Sequence, residues 1–308
     1  MNEKGNTEKI FEFTVFTPTY NRGYILPVLY KSLQAQKVKN FEWLIVDDGS
    51  SDNTDEIVKN WVDEEKSFLV RYYKTENGGK PRAINYGMER AEGKYFFIVD
   101  SDDYLRPDTI EKFTEWIKDI DDNNSFVGIG AAKCYPNGEY VKGVPPKTND
   151  KGYVDATNLE RHKYDLDADM CEAYKIDILR KYPMAVWPGE KFAPEQISIN
   201  AMALDGYKVR WHRDIVYVCD YLDDGLTKGA NSRLKRNPMG YAMMYNNMLR
   251  YDLPAKKKLF AASQFIALSI CGKNAKYILK GYNKMYTVLA LPYGIALSFR
   301  RRRQLLND

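Results

Sequence analysis

The first 120 residues alternate short apolar runs with segments of helical spacing. The runs are rich in Phe, Val, Ile and Tyr and end at acidic, Gly or Pro residues, which is typical of buried strands. Between them, apolar residues recur every three or four positions, as in Ile25, Val28, Leu29 and Leu33, which predicts an amphipathic helix. We predict strands at residues 11–17, 41–46, 68–75 and 94–100, and helices within 23–36, around 57–61, within 77–93 and within 106–120.

Strands that alternate with single helices predict parallel βαβ units, and therefore an α/β sheet with helices on both faces. Ligands of such sheets bind at the carboxyl ends of the strands. Three polar clusters follow predicted strands, "TPTYNR" at 17–22, "DDGSSD" at 47–52 and "DSDD" at 100–103. We expect these clusters to converge on one cleft.

The pattern changes near residue 125. Segments such as "FVGIGAAKCYPNGEYV" and "KVRWHRDIVYVCDY" predict strands separated by Gly and Pro turns, and the chain becomes helical beyond Gly229. We therefore predict three parts: an α/β half at 1–125, a mixed α+β half of the same domain at 126–229, and a helical C-terminal extension at 230–308.

Composition excludes several classes of protein. A net charge of +4 in 308 residues gives no reason to expect nucleic-acid binding. The four cysteines are far apart and show no CxxC spacing, so we expect reduced thiols, no zinc site and a cytosolic location. The polar N-terminus lacks the apolar core of a signal peptide, and no apolar run is long enough to span a membrane. The 24 Tyr suit a partly wet binding cleft.

The cluster after the fourth strand raises a charge problem, because close carboxylates repel each other unless a cation or several donors compensate them. Asp100 and Asp102 leave an extended segment on the same side, since the side-chain period of a strand is two. Such a pair can bind Mn²⁺ or Mg²⁺, with substrate phosphates as further ligands. Ordinary turn and capping residues are the alternative interpretation. Asp103 has no assigned role.

The other clusters suit a nucleotide. A carboxylate at a strand end, as in "DDGSSDNT", can accept hydrogen bonds from a base or a ribose, although an Asx turn before a helix explains it as well. Tyr20 can stack on a base. In "NGGKPRAIN", Lys80 and Arg82 can bind a diphosphate, with solvated surface charges as the alternative.

Taken together, "TPTYNR", "IVDDGSSDNT" and "NGGKPRAINYGMERAEGKYFFIVDSDD" resemble the nucleotide-sugar-binding domain of family 2 glycosyltransferases, which have the GT-A fold. The resemblance covers about residues 11–225 and implies a UDP-sugar donor with Mn²⁺ or Mg²⁺. It implies that Asp102 is the metal ligand, with Asp100 nearer the ribose or also on the metal. The implied nucleotide-sugar-binding residues are Thr17, Tyr20, Asp47, Asp48, Lys80, Arg82, Asn85, Asp100 and Ser101.

An inverting enzyme of this kind also needs a base that deprotonates the acceptor hydroxyl. The family often has a Glu-Asp pair near the start of a helix, whereas this chain has Glu195-Gln196. Because Gln cannot accept a proton at neutral pH, we assign the base to Glu195, with Glu190 as the second candidate. A first-turn helix charge is the alternative role of Glu195. The resemblance also suggests, loosely, that Asp223 or Asp224 contacts the acceptor or the diphosphate.

The C-terminal segment "YTVLALPYGIALSFRRRR" joins an apolar stretch, interrupted by Pro292, to four arginines. It suits an interfacial helix at an anionic membrane surface, with a packed helix and a solvated basic tail as the alternative. The complete hypothesis is a glycosyltransferase that acts on a glycan or lipid-linked acceptor in cell-envelope polysaccharide synthesis, peripheral at the inner face of the cell membrane. A sugar nucleotidyltransferase or a catalytically idle nucleotide-binding scaffold are the competing functions.

Overall fold

The structure is a computed structural model that describes residues 11–220 and 230–307. Its strands are β1 (Phe11–Thr19), β2 (Phe41–Asp47), β3 (Leu69–Lys74), β4 (Gly93–Ile98), β5 (Tyr104–Leu105), β6 (Phe126–Cys134), β7 (Tyr153–Ala156), β8 (Met170–Lys175) and β9 (Lys208–Val218). Its α-helices are α1 (Leu26–Gln34), α2 (Thr54–Glu64), α3 (Lys80–Arg90), α4 (Thr109–Ile117), α5 (Ile176–Leu179), α6 (Gln196–Leu204), α7 (Ala230–Arg236), α8 (Pro238–Met248), α9 (Ala255–Cys271) and α10 (Lys284–Asn307). Two short 3-10 helices lie at Asn158–Lys163 and Ala275–Lys280.

The nine strands of the described residues form one sheet, in the order β3-β2-β1-β4-β8-β6-β9-β5, with β7 also paired to β9. The first four strands are parallel to one another, as the alternation of strands and helices predicts. Strand β8, which the sequence analysis did not identify, runs antiparallel between β4 and β6. The predicted α/β class is confirmed, and the mixed part of the sheet begins at β8.

Strand β1 extends two residues beyond the predicted end and includes Pro18. Its pairing with β4 stops at Phe16, opposite Ile98, whereas its pairing with β2 continues to Thr19. Pro18 therefore lies where β1 has a neighbouring strand on one side only, and a residue without an N–H is tolerated at such a position. The extension brings Thr19 to the end of the strand, next to the polar cluster.

One face of the sheet buries an aromatic core. Residues of alternate positions on β1, β2 and β4 pack against α1, α2 and α4, among them Phe13, Trp43, Tyr95 and Phe97 of the strands. On α1 the buried residues are Leu26, Leu29 and Leu33, whereas Val28, which we had placed on this face, is 44% exposed. These helices fix the strands of the parallel part in place.

The chain divides into two compact units. The first contains residues 11–77, Ala83–Pro183 and Asp205–Asp220, and therefore the whole sheet. The second contains Gly78–Arg82, Met184–Leu204 and residues 230–307, and therefore helices α6 to α10. The core of the second unit is made by residues such as Met239, Ala261, Phe265, Ile266 and Ala290.

Candidate active site

Hydrogen bonds join the loop after β1 to the loop after β2. Asn21 has a left-handed backbone with φ of 52°, a conformation that Asn tolerates better than most residues. Its N–H donates to Ser50 Oγ at 2.8 Å, and its side-chain Oδ1 accepts the N–H of Ser51 at 2.8 Å. "TPTYNR" and "DDGSSD" thus form one connected surface, which confirms that they converge.

Asp52 makes a second connection between these loops. Its carboxylate accepts the N–H of Gly23 at 3.1 Å and the hydroxyl of Thr54 at 2.5 Å, at the start of α2. Burial alone would raise the pKa of Asp52, but the hydrogen bonds from Thr54 and Gly23 outweigh it and lower the pKa. Asp52 therefore stabilises the loops as an ionised residue just before α2.

Asp47 and Asp48, predicted to bind the ribose or base, are both buried at the end of β2. The carboxylate of Asp47 accepts the N–H of Ser50 and the hydroxyl of Tyr72, each at 2.7 Å. The N–H of Asp48 donates to the carbonyl of Thr19 at 2.8 Å. In this structure Asp47 fixes the turn, and Asp48 lies one residue further into the loop.

Thr17 and Tyr20, the two nucleotide-binding residues predicted at the end of β1, differ in exposure. Thr17 is fully buried, and its hydroxyl accepts the indole N–H of Trp43 at 3.0 Å, so it packs within the sheet. Tyr20 is 49% exposed at the end of the strand, where its ring is accessible for stacking. The sequence analysis missed Thr19, whose buried hydroxyl has no hydrogen-bond partner in the structure.

The hydroxyl of a buried tyrosine, Tyr217, hydrogen-bonds two residues of the loop after β4. The N–H of Asp100 donates to Tyr217 Oη at 3.0 Å, and this hydroxyl donates to the carboxylate of Asp103 at 2.7 Å. Burial raises the pKa of Asp103 to about 7. Ser101 is also buried, and the guanidinium of Arg22 lies 3.9 Å from the carboxylate of Asp102. Arg22 thus links the loop after β1 to the loop after β4.

A buried lysine provides positive charge beneath the aspartates. Lys133 of β6 is 7% exposed, lies 3.2 Å from Asp169 and sits 4.2 Å from the centre of the Tyr217 ring. Burial alone would lower the pKa of Lys133, but the carboxylates of Asp169, Asp103 and Asp100 outweigh it and raise the pKa. Part of the negative charge after β4 is therefore compensated by the protein itself, which the sequence analysis did not identify.

The donor set after β4 fits a hard divalent cation. Asp100 and Asp102 have the carboxylate oxygens that such a cation binds, and the carboxylate of Asp103 accepts the hydroxyl of Tyr217. Across residues 11–220 and 230–307, no group of three or more His, Cys, Asp or Glu side chains is arranged to hold a metal ion. Two carboxylates suffice where substrate phosphates supply the other oxygens, which is the usual binding mode of Mg²⁺ in phosphate sites.

Lys80 and Glu195 form an ion pair in the second unit. The ammonium of Lys80, at the start of α3, lies 3.1 Å from Oε1 of Glu195, which directly precedes α6. Both side chains are partly exposed, at 21% and 30%. The residue predicted to bind diphosphate thus contacts the residue predicted to act as base. Asn85, further along α3, is partly buried.

Glu190 and Arg82, also in the second unit, are occupied by backbone groups. The two carboxylate oxygens of Glu190 accept the N–H groups of Met239 and Gly240, at 2.8 and 2.7 Å, in the first turn of α8. Burial raises the pKa of Glu190 against the effect of these hydrogen bonds. The guanidinium of Arg82 donates to the carbonyls of Gly78, Trp187 and Glu190.

His212 is one of the two histidines of the sequence and therefore a conceivable metal ligand. The ring of His212 stacks on Trp116 at 3.8 Å in the interior of the first unit, where burial lowers its pKa to about 4. This packing gives His212 a structural role in β9. Asp223 and Asp224 lie outside the described residues.

Comparison with known proteins identifies the family. The family model described as "Glycosyl transferase family 2" matches residues 14–182, more than half of the chain, and these residues include all three strand-end loops. The chain belongs to glycosyl transferase family 2. This match confirms the family that the sequence motifs indicate.

Several curated relatives are bacterial proteins named as glycosyltransferases. An uncharacterized glycosyltransferase of Haemophilus influenzae is 28% identical over 167 residues, which are 54% of this chain and 64% of the relative. Glycosyltransferase GlyG of Streptococcus pneumoniae is 36% identical over 108 residues, 35% of this chain and 36% of GlyG. An uncharacterized glycosyltransferase of Rickettsia bellii is 30% identical over 135 residues, which are 43% of this chain and 19% of the relative. The chain thus spans less than two thirds of the length of each.

Solved structures confirm the fold of this family 2 chain. The S. aureus TarS 1–349 structure in complex with UDP-GlcNAc superimposes with a TM-score of 0.60, at 21% identity, covering 92% of this chain and 81% of that one. The mannosyltransferase PcManGT from Pyrobaculum calidifontis, in complex with GDP-Man and Mn²⁺, superimposes with a TM-score of 0.56, at 17% identity, covering 96% of this chain and 83% of that one. The predicted GT-A fold is confirmed.

Proposed function

We propose that this chain is a metal-dependent, inverting glycosyltransferase that transfers a sugar from a UDP-sugar to a glycan or lipid-linked glycan acceptor. The observation that supports this most is the connected surface formed by the loops after β1, β2 and β4. Asn21, Asp52 and Arg22 fasten these loops to one another, in a segment that the family 2 model matches. Strand ends of this kind are where α/β sheets bind ligands.

The donor nucleotide is assigned to the loops after β1 and β2. Tyr20 is exposed there and can stack on a base, and the buried hydroxyl of Thr19 has an unused hydrogen-bonding capacity. Asp48 supplies a carboxylate to the base or ribose, while Asp47 and Thr17, which are buried and hydrogen-bonded, position the loop from within. The UDP-GlcNAc complex of TarS is consistent with a UDP-sugar donor.

The diphosphate is assigned to Asp102 with a divalent cation, supported by Asp100 and Ser101. When bound, Mn²⁺ or Mg²⁺ would neutralise charge on the diphosphate leaving group. Residues of the chain orient the two carboxylates. Tyr217 accepts the N–H of Asp100, and Arg22 holds the Asp102 carboxylate near the loop after β1. On the sequence resemblance, we also assign Lys80 and Asn85 of α3 to donor binding. Arg82 is a structural support, because its guanidinium binds backbone carbonyls.

Glu195 is the proposed base. It accepts the proton of the acceptor hydroxyl, whose oxygen bonds to the anomeric carbon as the bond to the diphosphate breaks and UDP leaves. The placement of Glu190 supports this choice, because both of its carboxylate oxygens already accept N–H groups of α8. Lys80, in contact with Glu195, is the residue that orients this carboxylate.

The acceptor and the location are proposed from the family resemblance and the basic C-terminus. We assign the acceptor to cell-envelope polysaccharide synthesis, at the inner face of the cell membrane. No helix among the described residues is long and apolar enough to cross a bilayer. We propose a peripheral contact with the membrane.

A donor screen tests the function. The protein is incubated with a panel of UDP-sugars and Mn²⁺, and the release of UDP and of pyrophosphate is measured. We expect UDP release with at least one donor, and loss of release after Asp102→Ala. Pyrophosphate as the product would instead indicate a nucleotidyltransferase, and no product with any donor would leave the idle scaffold as the better explanation.

The base assignment is tested with two matched variants. We expect Glu195→Gln to lower kcat by about a hundredfold or more with little change in the KM of the donor, because a general base acts in the transition state. Glu190→Gln should lower the stability of the protein and leave kcat per folded molecule within a few-fold of the wild type. The reverse ranking of the two kcat values would assign the base to Glu190.

A further inference from the structure

Helix α10 in the second unit exposes its large apolar side chains and buries its small ones. The residues that face α9 and the core are Thr287, Ala290, Gly294 and Ser298, with Ala290 at 3% exposure. The residues that face solvent include Val288 at 63%, Leu289 at 62% and Phe299 at 61% exposure. An ordinary surface helix has the opposite arrangement.

The exposed side chains form one continuous stripe. With 3.6 residues per turn, the stripe follows the helix from its first turn to the arginines. It consists of Met285, Val288, Leu289, Pro292, Tyr293, Ile295, Ala296 and Phe299. We call this set the α10 stripe. Helix α10 continues through Pro292, whose ring lies on this exposed side, so the proline does not interrupt the stripe as the sequence suggested.

Neighbouring parts of the second unit add apolar surface. Leu279, in the 3-10 helix before α10, is 77% exposed, and Tyr282, in the connection to α10, is 60% exposed. Phe260 of α9 is 52% exposed. Single exposed apolar residues are normal on a protein, but a long run of them marks a surface that binds something.

Basic residues line both edges of the α10 stripe. At 100° per residue, Lys284 and Arg302 fall on one edge and Arg300 on the other. Arg301 points inward and donates to Gln264 of α9. Residues 253–307 contain eleven Lys and Arg and no Asp or Glu, although the whole chain carries 42 acidic residues against 46 basic ones. The excess of positive charge is thus concentrated in the segment that carries the α10 stripe.

We propose that the α10 stripe binds the surface of an anionic lipid bilayer, with α10 lying in the plane of the interface. Apolar side chains enter the boundary between headgroups and acyl chains, and Lys284, Arg300 and Arg302 contact the lipid phosphates. This inference deepens the membrane location given under the proposed function, because it assigns the contact to a defined face of a folded helix. It does not require the proposed chemistry.

Charge favours a lipid surface over a second copy of the chain. A symmetric dimer through the α10 stripe would place the flanking Lys and Arg of one copy beside those of the other, and like charges across an interface oppose association. An anionic bilayer complements both parts of the surface. The stripe is also too short to span a bilayer, since Met285 to Phe299 measures about 21 Å along the helix, less than the roughly 30 Å of a hydrocarbon core.

Vesicle flotation tests the proposal without donor or acceptor. The full chain is mixed with vesicles of phosphatidylcholine alone, or of phosphatidylcholine with phosphatidylglycerol, and the bound fraction is measured. We expect binding to the anionic vesicles to exceed binding to neutral ones by about tenfold or more, and to fall as salt is raised. Equal binding to both vesicles, or to neither, would overturn the proposal.

Two sets of variants identify the surface. The triple change Val288→Ser, Leu289→Ser, Phe299→Ser should reduce binding by about tenfold or more, because it removes three side chains that enter the interface. The control changes three exposed apolar residues of the first unit, Val28→Ser, Val62→Ser and Leu69→Ser, which are 40 to 44% exposed, and should bind as the wild type. An equal loss in both triples would overturn the assignment to α10.

The basic set is Lys284→Gln, Arg300→Gln and Arg302→Gln, with Lys37→Gln, Lys59→Gln and Lys118→Gln as the control. The first set should remove the preference for anionic vesicles, and the control should keep it.

Light scattering of the purified protein tests whether a second copy of the chain binds the α10 stripe instead. If the wild type is a dimer and binds no vesicles, and the apolar triple variant is a monomer, the stripe is assigned to a second copy. UDP release in the same variants separates this outcome from a failure of the proposed chemistry.

Discussion

Asp103 and Lys133 show how the chain places three aspartates within four residues at the end of a buried strand. Asp103 is buried, accepts the hydroxyl of Tyr217 and interacts with the charge of Lys133. The same hydroxyl accepts the N–H of Asp100. The loop that offers Asp100 and Asp102 is therefore fastened through Asp103 to an internal cation, so its position does not depend on a metal alone.

A double-mutant cycle measures this coupling. Lys133→Met should cost about 3 kcal/mol of unfolding free energy, because removing one partner leaves a buried charge without compensation. Asp103→Asn should also destabilise, and the double variant should cost at least about 1 kcal/mol less than the sum of the two. The measurement is urea unfolding. Lys142→Met, which breaks the more exposed pair with Asp167, should cost about 0.5 kcal/mol or less. Additive effects of Lys133 and Asp103 would contradict the coupling.

His212 predicts a pH dependence of stability in the first unit. Burial against Trp116 and Tyr153 lowers its pKa to about 4, with Asp214 and Asp155 acting against this shift and Arg210 adding to it. Because the unfolded chain has the ordinary pKa near 6.5, it binds more protons than the folded chain between pH 6.5 and pH 4. The contribution of His212 to the unfolding free energy is therefore fully present above about pH 6.5. It decreases as the pH falls from 6.5 through 4, by about 3 kcal/mol in total.

The variant His212→Phe keeps an aromatic ring against Trp116 and removes the proton site. The difference in unfolding free energy between the variant and the wild type should move in favour of the variant as the pH is lowered from 7 to 4. Taking this difference cancels contributions from other groups, including Asp103, whose raised pKa acts in the opposite direction. A constant difference between His212→Phe and wild type would refute the assignment.

At the scale of elements, α10 depends on close packing of small residues against α9. A Cβ on Gly294 would lie 2.7 Å from Cβ of Ile266, which real contacts do not allow. Gly294→Val should therefore lower the unfolding free energy by about 1 to 3 kcal/mol, although Val has the better helix propensity. Ala296→Val, two residues on and on the exposed side, should change it by about 0.5 kcal/mol or less. Thermal unfolding compares the two; equal effects would mean that α10 is not packed as described.

The elements of the parallel part were predictable because their local pattern matches their burial. Strand β2 is buried along its whole length and is apolar from Trp43 to Val46, and the polar loops at the strand ends follow from the change in composition. The charged Glu42 is buried within this strand because its carboxylate accepts the hydroxyl of Thr14 and pairs with Arg71. The choice of Val28 for the buried face of α1 was wrong because the helix begins at Leu26, and the spacing from that residue selects Leu29 and Leu33.

The remaining features depend on contacts between distant residues, which a local pattern does not contain. Strand β8 carries Glu172 and Lys175 among its apolar residues, and its partners β4 and β6 are far away in the sequence. The N–H groups that bind the Glu190 carboxylate belong to α8, far along the chain, so the sequence around Glu190 does not show that its carboxylate is hydrogen-bonded. Lys133 resembles a surface lysine, and only its burial over Tyr217 shows that it opposes the aspartates. The predicted roles of the site residues stay predictions.

At the scale of the whole molecule, the proposed donor site predicts that metal and nucleotide bind together. Two carboxylates hold Mn²⁺ weakly on their own, and a diphosphate supplies the missing oxygen ligands, so each ligand should raise the affinity for the other by the same factor. Ligands that bind the folded state raise the unfolding temperature. We expect a small rise with Mn²⁺ or UDP alone and a larger one with both, about 5 °C when the complex is saturated a hundredfold over its dissociation constant.

Asp102→Asn tests whether this cooperation passes through the loop after β4. The variant should keep the small effect of UDP, because the base and ribose contacts are unchanged, and should lose the additional rise with Mn²⁺. Asp122→Asn, at an exposed position, removes the same charge elsewhere in the first unit and should respond as the wild type. If Asp102→Asn still shows the full rise with both ligands, the metal ligand lies elsewhere. If the wild type shows no rise with UDP but does with another nucleoside diphosphate, the metal site stands and the donor assignment is wrong, so the experiment tests the two proposals separately.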